Sequence, residues 1–380
     1  MPTRSPLTSE PLHVLYYGHD PAKPCPYFRG SQFDALLRAL GVESRYLVGI
    51  SADQHGFDTE PLEWADVVVF RRFYDTLKEI AQVAQAGFLP FSNTHWTWTW
   101  VQEHGKPYVY DTDDDPLVMG RWNAQWTVAQ READFVREMA RKATLVTVAT
   151  PALAQRYGTF NCNIRVVRNA VDPSIYRPTT EQPDRRITTL FYGSAESRLR
   201  DYFGERGNDG RWHGGECAAA VRGAGLRTVF FGYEGGPDAP KYFDEVVRYV
   251  DGIPEFARTL AGIWADIGLA PLVGDDFDRA KSELHWLEYT CVGIPTVAQR
   301  LMRPAPYDVV RDGTDALLAR GADEWRRAVR RLAESPALRD DLVAAARERV
   351  LAEYDYRVRA AEWADAYRTA AERGAQVVAA

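Results

Sequence analysis

Short apolar runs along the chain, each closing on glycine or polar residues, alternate with longer stretches in which apolar residues recur at helical spacing. His13-Val-Leu-Tyr-Tyr17 ends at Gly18-His19-Asp20 and reads as a strand entering a loop, while Gln32 to Leu40 reads as a helix that stops at Gly41. Ser44 to Gly49, Ala65 to Phe70, Lys106 to Tyr110, Thr144 to Val148 and Ile164 to Asn169 extend the strand series. Thr76 to Ala86 and Ala124 to Lys142 extend the helices, and Pro151 to Gln155 follows the strand at Val148. Strands alternating with helices predict a parallel, doubly wound α/β sheet, whose ligands bind at the carboxyl ends of the strands.

Between Asp172 and Arg186 the chain reads DPSIYRPTTEQPDRR, with three prolines, several charges and no periodicity, the pattern of a linker. The alternation then restarts. Ile187 to Tyr192 ends at Gly193-Ser194, followed by Thr228 to Phe231, Val246 to Val250 and Asp266 to Pro271, and past Trp325 the chain is rich in Ala, Arg, Glu and Leu with helical spacing. The expected organisation is a Rossmann-like domain over residues 1–172, a linker over 173–186, a second Rossmann-like domain over 187–354 and a terminal helix over 355–380.

Composition narrows this further. The 380 residues are 46% hydrophobic, enough for two cores that need no disulfide or structural metal. Forty-six basic against 53 acidic residues leave a net charge of −7, which lacks the global basic balance of a general nucleic-acid binder. Cys25, Cys162, Cys217 and Cys291 are far apart, form no zinc-spaced pair and read as reduced, buried thiols. The first residues lack a signal core, and no apolar run approaches the roughly 20 residues a bilayer span needs, so a cytoplasmic protein is expected.

The densest chemistry lies in Phe277-Asp-Arg-Ala-Lys281-Ser282-Glu-Leu-His-Trp-Leu-Glu288-Tyr, followed by Gly293-Ile-Pro295. If a helix opens at Lys281, then Lys281, Ser282 and free backbone N–H groups meet at one helix end, an anion site in outline. Glu288 would stand two turns on at a similar azimuth, able to accept from hydroxyls of the same elongated ligand. An ordinary amphipathic helix with solvated charges is the bland alternative.

From Ala265 to about Tyr354 the sequence resembles the donor-binding half of retaining glycosyltransferases with the GT-B fold, specifically glycosyltransferase family 4. The resemblance rests on Asp266-Ile-Gly-Leu-Ala-Pro-Leu272, Phe277 with Lys281-Ser282, Leu287-Glu288-Tyr289, Gly293-Ile-Pro295 and Val310 with Asp312-Gly313. Asn169-Ala-Val-Asp172 continues it upstream, and Gly105 to Asp114 agrees more weakly. It implies two Rossmann-like domains facing across a cleft, a terminal helix packing back on the first, and transfer from a UDP-, GDP- or dTDP-sugar with retention. No cofactor is permanently bound. By position, Glu288 would bind the ribose, Lys281 and Ser282 the phosphates, and Gly193-Ser194 the pyrophosphate approach, with Asp251, Ile253 and Pro254 flanking the nucleobase. Two departures stand out: Ala280 replaces the first of two glutamates, and Gly193-Ser194 replaces a frequent Gly-Arg. Lys281 would supply the missing charge, with Arg198 or Arg279 adding to it.

Other candidates are less bound to that pattern. Asp111, Asp113, Asp114 and Asp115 follow a strand and offer three readings: metal binding, acceptor positioning or acid–base work, and a capped strand end. No residue is assigned to a metal. His95 and Asp113 are candidates for orienting donor or acceptor, and Gly30, after Pro26-Tyr-Phe-Arg29 in the first loop, for closing over the phosphates. Trp96, Trp98 and Trp100 would share one face if extended, either packed or stacking a ligand. The expected activity is a metal-independent, retaining sugar transfer to an acceptor that is a small molecule, a glycan or a hydroxylated DNA base. A catalytically inactive nucleotide-binding relative is the rival, and no integral membrane association is expected. The oligomeric state is not legible.

Overall fold

A computed structural model describes residues 10–18, 20–48, 52–53, 56–71, 93–123, 125–179, 186–193, 198–206, 212–232 and 242–379. The chain divides into two compact units, residues 1–168 with 356–380, and residues 169–355.

In the first unit the strands of the main sheet are β1 (Leu12–Tyr17), β2 (Val42–Leu47), β3 (Val67–Arg71), β4 (Tyr108–Thr112), β5 (Leu145–Val148) and β6 (Ile164–Val166). They form one parallel sheet in the order β2-β1-β3-β4-β5-β6. Val67 to Phe70 and Leu145 to Val148 are buried throughout, as expected where helices cover both faces and alternation disappears. The helix Tyr356–Ala379 belongs to this unit, and its Trp363 and Tyr367 are fully buried. Tyr367 shares a 2.6 Å hydrogen bond with the Tyr16 hydroxyl.

Two details here differ from expectation. Asn93–Glu103 is a helix rather than an extended run, so the period-2 face of indoles does not form: Trp98 packs edge-on against Phe135 and Trp100 stacks on His104, one turn later. Ala124 to Lys142 is two helices, Trp126–Arg131 and Ala133–Lys142, joined at Glu132. The expected helix at Thr76 to Ala86 lies outside the described residues.

The second unit repeats the plan with β7 (Thr188–Gly193), β8 (Arg227–Gly232), β9 (Glu245–Arg248), β10 (Ile267–Ala270), β11 (Thr296–Gln299) and β12 (Leu317–Ala319). Their order is β9-β8-β7-β10-β11-β12, again all parallel, so the winding reverses between β7 and β10. In such sheets the crevice beyond the carboxyl ends at the reversal is the natural ligand position. Phe191, Tyr202, Phe230, Phe243 and Trp325 anchor the core beside it. Each unit is thus built on a six-stranded parallel sheet with its helices, as the resemblance to the GT-B fold implies. Among the cysteines, Cys217 and Cys291 are buried, but Cys162 is exposed and Cys25 only half-buried; all four are free thiols. No helix among the described residues is long and apolar enough to cross a membrane.

Candidate functional site

The reversal point of the second sheet gathers charge. β7 ends on Gly193, where a Cβ would meet the Arg198 Cβ at 2.5 Å, so the close approach of that arginine requires glycine. Ser194, next in the chain, lies outside the described residues. Arg198 pairs with Asp201 at 2.7 Å, and Arg200 reaches Asp275 at 2.8 Å and Asp278 at 3.5 Å.

The Lys281 charge acts on the same carboxyl groups, Asp201 and Asp278. Asp275 caps the short helix Asp276–Ala280 by accepting from the Asp278 N–H, and Lys281 follows it in extended backbone. The helix carrying Glu288 begins only at Leu284, with Glu283 at its N-cap. The expectation that Lys281 and Ser282 open that helix is therefore corrected: they sit in the break between two helices, and helical azimuth does not relate Lys281 to Glu288. The Lys281 ammonium lies over the Phe277 ring, 4.2 Å from its centre. Ser282 accepts a 2.9 Å hydrogen bond from the Asn169 side-chain amide.

Glu288 faces inward, 3% exposed. Tyr176 donates to its Oε1 at 2.7 Å and Tyr192 donates to its Oε2. Burial pushes its pKa up to about 7, against the opposing pull of the two tyrosine hydrogen bonds. One turn earlier, His285 lies 4.0 Å from the Tyr192 ring centre. Burial first, then the charges of Arg198 and Lys281, hold its imidazole well below the ordinary range, so it is neutral near pH 7. Burial likewise raises Asp201 to about 7, with Arg198 as the largest opposing influence, and raises Asp278 beside it. Arg198, Arg200 and Lys281 thus surround two carboxyl groups that resist ionisation. A dianionic group brought here would meet fixed positive charge in a partly dry setting, where such attraction is strongest.

The remaining second-unit candidates are at the rim. Gly252 takes φ +91° before the helix Ile253–Gly262, leaving Asp251 and Pro254 exposed and turning Ile253 into the core.

In the first unit the polar candidates are tied into the protein. Gly30 ends the helix Pro24–Arg29, and a Cβ there would meet Tyr16 at 3.2 Å and Tyr46 at 3.4 Å. The adjacent Arg29 is 1% exposed, forks onto Asp111 at 3.1 and 2.5 Å and lies over the Trp363 ring. Asp111 also accepts from Thr147 at 2.7 Å, Asp113 pairs with Arg71 at 2.6 Å, and Asp115 pairs with Arg156 at 2.5 Å. The aspartates that close β4 thus face three different arginines. Among the described residues no group of three or more His, Cys, Asp or Glu side chains could hold a metal ion. His95 bonds Glu132 at 2.8 Å and stacks on Phe135.

Sequence reasoning missed Tyr176, Tyr192, Asp201 and His285. Tyr176 falls within the stretch read as linker, yet it is fully buried. A lone aromatic between prolines was the available signal for it. Tyr192 looked like the end of an apolar strand, and its hydroxyl was the cue that it faces a polar partner.

Residues 218–365 match the family model described as glycosyl transferase-like. None of the curated protein sequences matches the chain. Among solved structures, sucrose-phosphate synthase from Thermosynechococcus elongatus is similar, with a TM-score of 0.67 and 14% identity over 95% of this chain and 98% of that one. An α-glucosyltransferase in complex with UDP and a 13-mer DNA containing a HMU base gives 0.60 and 12% over 94% and 100%. HepE from Anabaena in complex with UDP-glucose gives 0.54 and 14% over 93% and 98%.

Proposed function

We propose that this chain is a retaining, metal-independent glycosyltransferase that moves a sugar from a nucleotide diphosphate sugar to an acceptor hydroxyl. The observation that carries the reading is that Arg198 and Lys281 both act on the buried His285, one turn before Glu288, whose carboxyl group two tyrosines hold. The glycosyl transferase-like match over residues 218–365 includes Lys281, Ser282 and Glu288, while Arg198, Tyr176 and Tyr192 precede it. Similar folds have been solved with UDP or UDP-glucose, which makes a UDP-sugar the first donor to test.

In this reading Lys281 and Arg198 grip the diphosphate, and Ser282, oriented by Asn169, adds a hydroxyl contact. Glu288 as carboxylate accepts from the ribose, and the loop at Asp251 to Pro254 borders the base. During transfer the bond from the anomeric carbon to the diphosphate breaks as the acceptor oxygen bonds that carbon on the same face. The leaving phosphate oxygen takes the acceptor proton, so charge develops where the two cations stand, and preorganised charge lowers that barrier. Asp111, Asp113 and Asp115 are each paired with an arginine, which supports a reaction without their metal ligation.

The test is donor consumption with product NMR. The protein is incubated with UDP-, GDP- and dTDP-sugars and three acceptor classes: small hydroxylated molecules, glycans, and an oligonucleotide bearing a hydroxymethylated base. The last is prompted by the DNA-bound neighbour. Transfer with the donor's anomeric configuration preserved, unaffected by chelator, is expected. An inverted product or a chelator-abolished reaction contradicts the mechanism, and binding without turnover favours the inactive relative.

A further inference from the structure

The second unit contains a cavity of about 620 Å³ lined by Arg200, Arg279, Arg300 and Arg320, with Glu216 and Asp201 among its other polar groups. It lies beyond the carboxyl ends of β10, β11 and β12, where Leu272 to Gly274, Gln299 to Met302 and Arg320 leave the sheet. Its size is in the range of small-molecule sites.

The lining is chemically selective. Three of the arginines are held by carboxylates that do not line the cavity: Arg200 by Asp275 and Asp278, Arg279 by Asp276 at 3.7 Å, and Arg300 by Asp312 at 2.5 Å. Arg300 gives only its Nη2 to Asp312 and to the Leu318 carbonyl, and a guanidinium carries five N–H donors. Acceptors are present too. Glu216 uses one oxygen, Oε2, for both the Gly321 N–H at 2.9 Å and the Gln299 amide at 3.4 Å, so the lone pairs of Oε1 are left for a ligand hydroxyl.

The apolar part of the wall is aliphatic: Leu272, Val273, Leu301 and Met302, of which Met302 is 72% and Val273 38% exposed. Among the described residues no aromatic ring lines the cavity. Aliphatic wall suits the C–H face of a sugar ring, arginine forks suit a phosphate or carboxylate, and Glu216 suits ring hydroxyls. Glycine keeps the backbone close on one side, since a Cβ at Gly274 would meet the Leu301 side chain at 2.7 Å, and Gly274 takes φ +94°.

We propose that this cavity binds an anionic sugar, a sugar phosphate or a uronate, at a site that borders the Lys281 and Glu288 centre at Arg200 and Asp201 and is completed by Arg300 and Arg320. A neutral sugar would leave the arginines of the lining without an anion.

Calorimetric titration tests it with glucose 6-phosphate, glucuronate, inorganic phosphate and glucose as probes. The proteins are the wild type, the exposed-side-chain double variant Arg300→Ala/Arg320→Ala, and Lys281→Ala. The expected result is that glucose 6-phosphate or glucuronate binds at least tenfold tighter than both glucose and inorganic phosphate. The double variant should lose at least tenfold of that affinity while keeping its response to nucleotide, and Lys281→Ala should keep the sugar-anion affinity. The proposal is overturned if neither charged sugar exceeds glucose, if binding survives the double variant, or if Lys281→Ala abolishes it, which would put the anion at the donor centre. The donor reading fails separately, by absence of any nucleotide response in the wild type.

Discussion

The Tyr192 hydroxyl donates to one oxygen of Glu288 while Tyr176 donates to the other, so a carboxyl group 3% exposed is gripped at both oxygens. Each oxygen keeps a second lone-pair direction for a ligand hydroxyl. Without the tyrosines, burial alone would drive the pKa higher still and leave the group protonated at neutral pH.

Tyr192→Phe therefore should weaken nucleotide-sugar binding about tenfold, or ~1.4 kcal/mol, by removing a hydrogen bond to a charged acceptor. Tyr176→Phe should act in the same direction. Calorimetry on both variants checks this, and unchanged affinity in both would detach the tyrosines from the site.

The pH dependence follows with a definite sign. Glu288 has its folded pKa raised from 4.5 to about 7, so the native state holds the proton more tightly than the unfolded chain. Its contribution to stability is full below about pH 4.5 and is lost as pH rises through about 7. Ligand affinity runs the opposite way, because the carboxylate is the better acceptor. Binding of a nucleotide sugar, whose diphosphate does not titrate in this range, should strengthen between about pH 6 and 8. Asp201 titrates in the same window, so Glu288→Gln is the control: it should remove the Glu288 share of the slope, visible as a flatter profile.

Lys281→Ala and Arg198→Ala should each lower transfer by roughly 10²-fold or more, about 2.7–4 kcal/mol, if their charges stabilise the departing diphosphate. Circular dichroism should show both proteins folded. Wild-type turnover by either variant would remove it from the proposed mechanism.

Arg29 offers a contrasting expectation. Its guanidinium is buried against Asp111, the Val167 carbonyl and Trp363. Arg29→Met should cost about 3–5 kcal/mol of stability by stranding a buried carboxylate. Nucleotide affinity measured on the folded fraction should be unchanged. Urea denaturation gives the first quantity, and a stability loss under 1 kcal/mol would contradict the structural role.

What could be read in advance divides along physical lines. The strands were legible because buried parallel strands are written as unbroken apolar runs, such as Val67 to Phe70 and Ile267 to Ala270, bounded by polar residues. Lys281 and Glu288 were legible as residue types in an ordered motif, but their geometry was not: the break at Lys281 to Glu283 follows from Asp275 capping a separate short helix, a tertiary choice that periodicity does not encode. The HWTWTW run was not decisive because its alternation fits an extended segment as well as packing, whereas the chain there forms a helix with Thr94 and Thr97 buried. The partners of Glu288 were hidden because both lie about 100 residues upstream, at separations of 112 and 96, where local pattern carries no information.

The central claim is that the second unit holds a nucleotide sugar through Lys281, Arg198 and Glu288. Its most direct test is thermal unfolding of wild type and Lys281→Ala against UDP, GDP, dTDP and ADP with their sugars, with and without chelator. A ligand at about 100 times its dissociation constant adds roughly 2.7 kcal/mol to the native state. The account predicts a chelator-insensitive rise in Tm with one nucleotide class that disappears in Lys281→Ala. No rise with any nucleotide, or a rise that the variant retains in full, would contradict it.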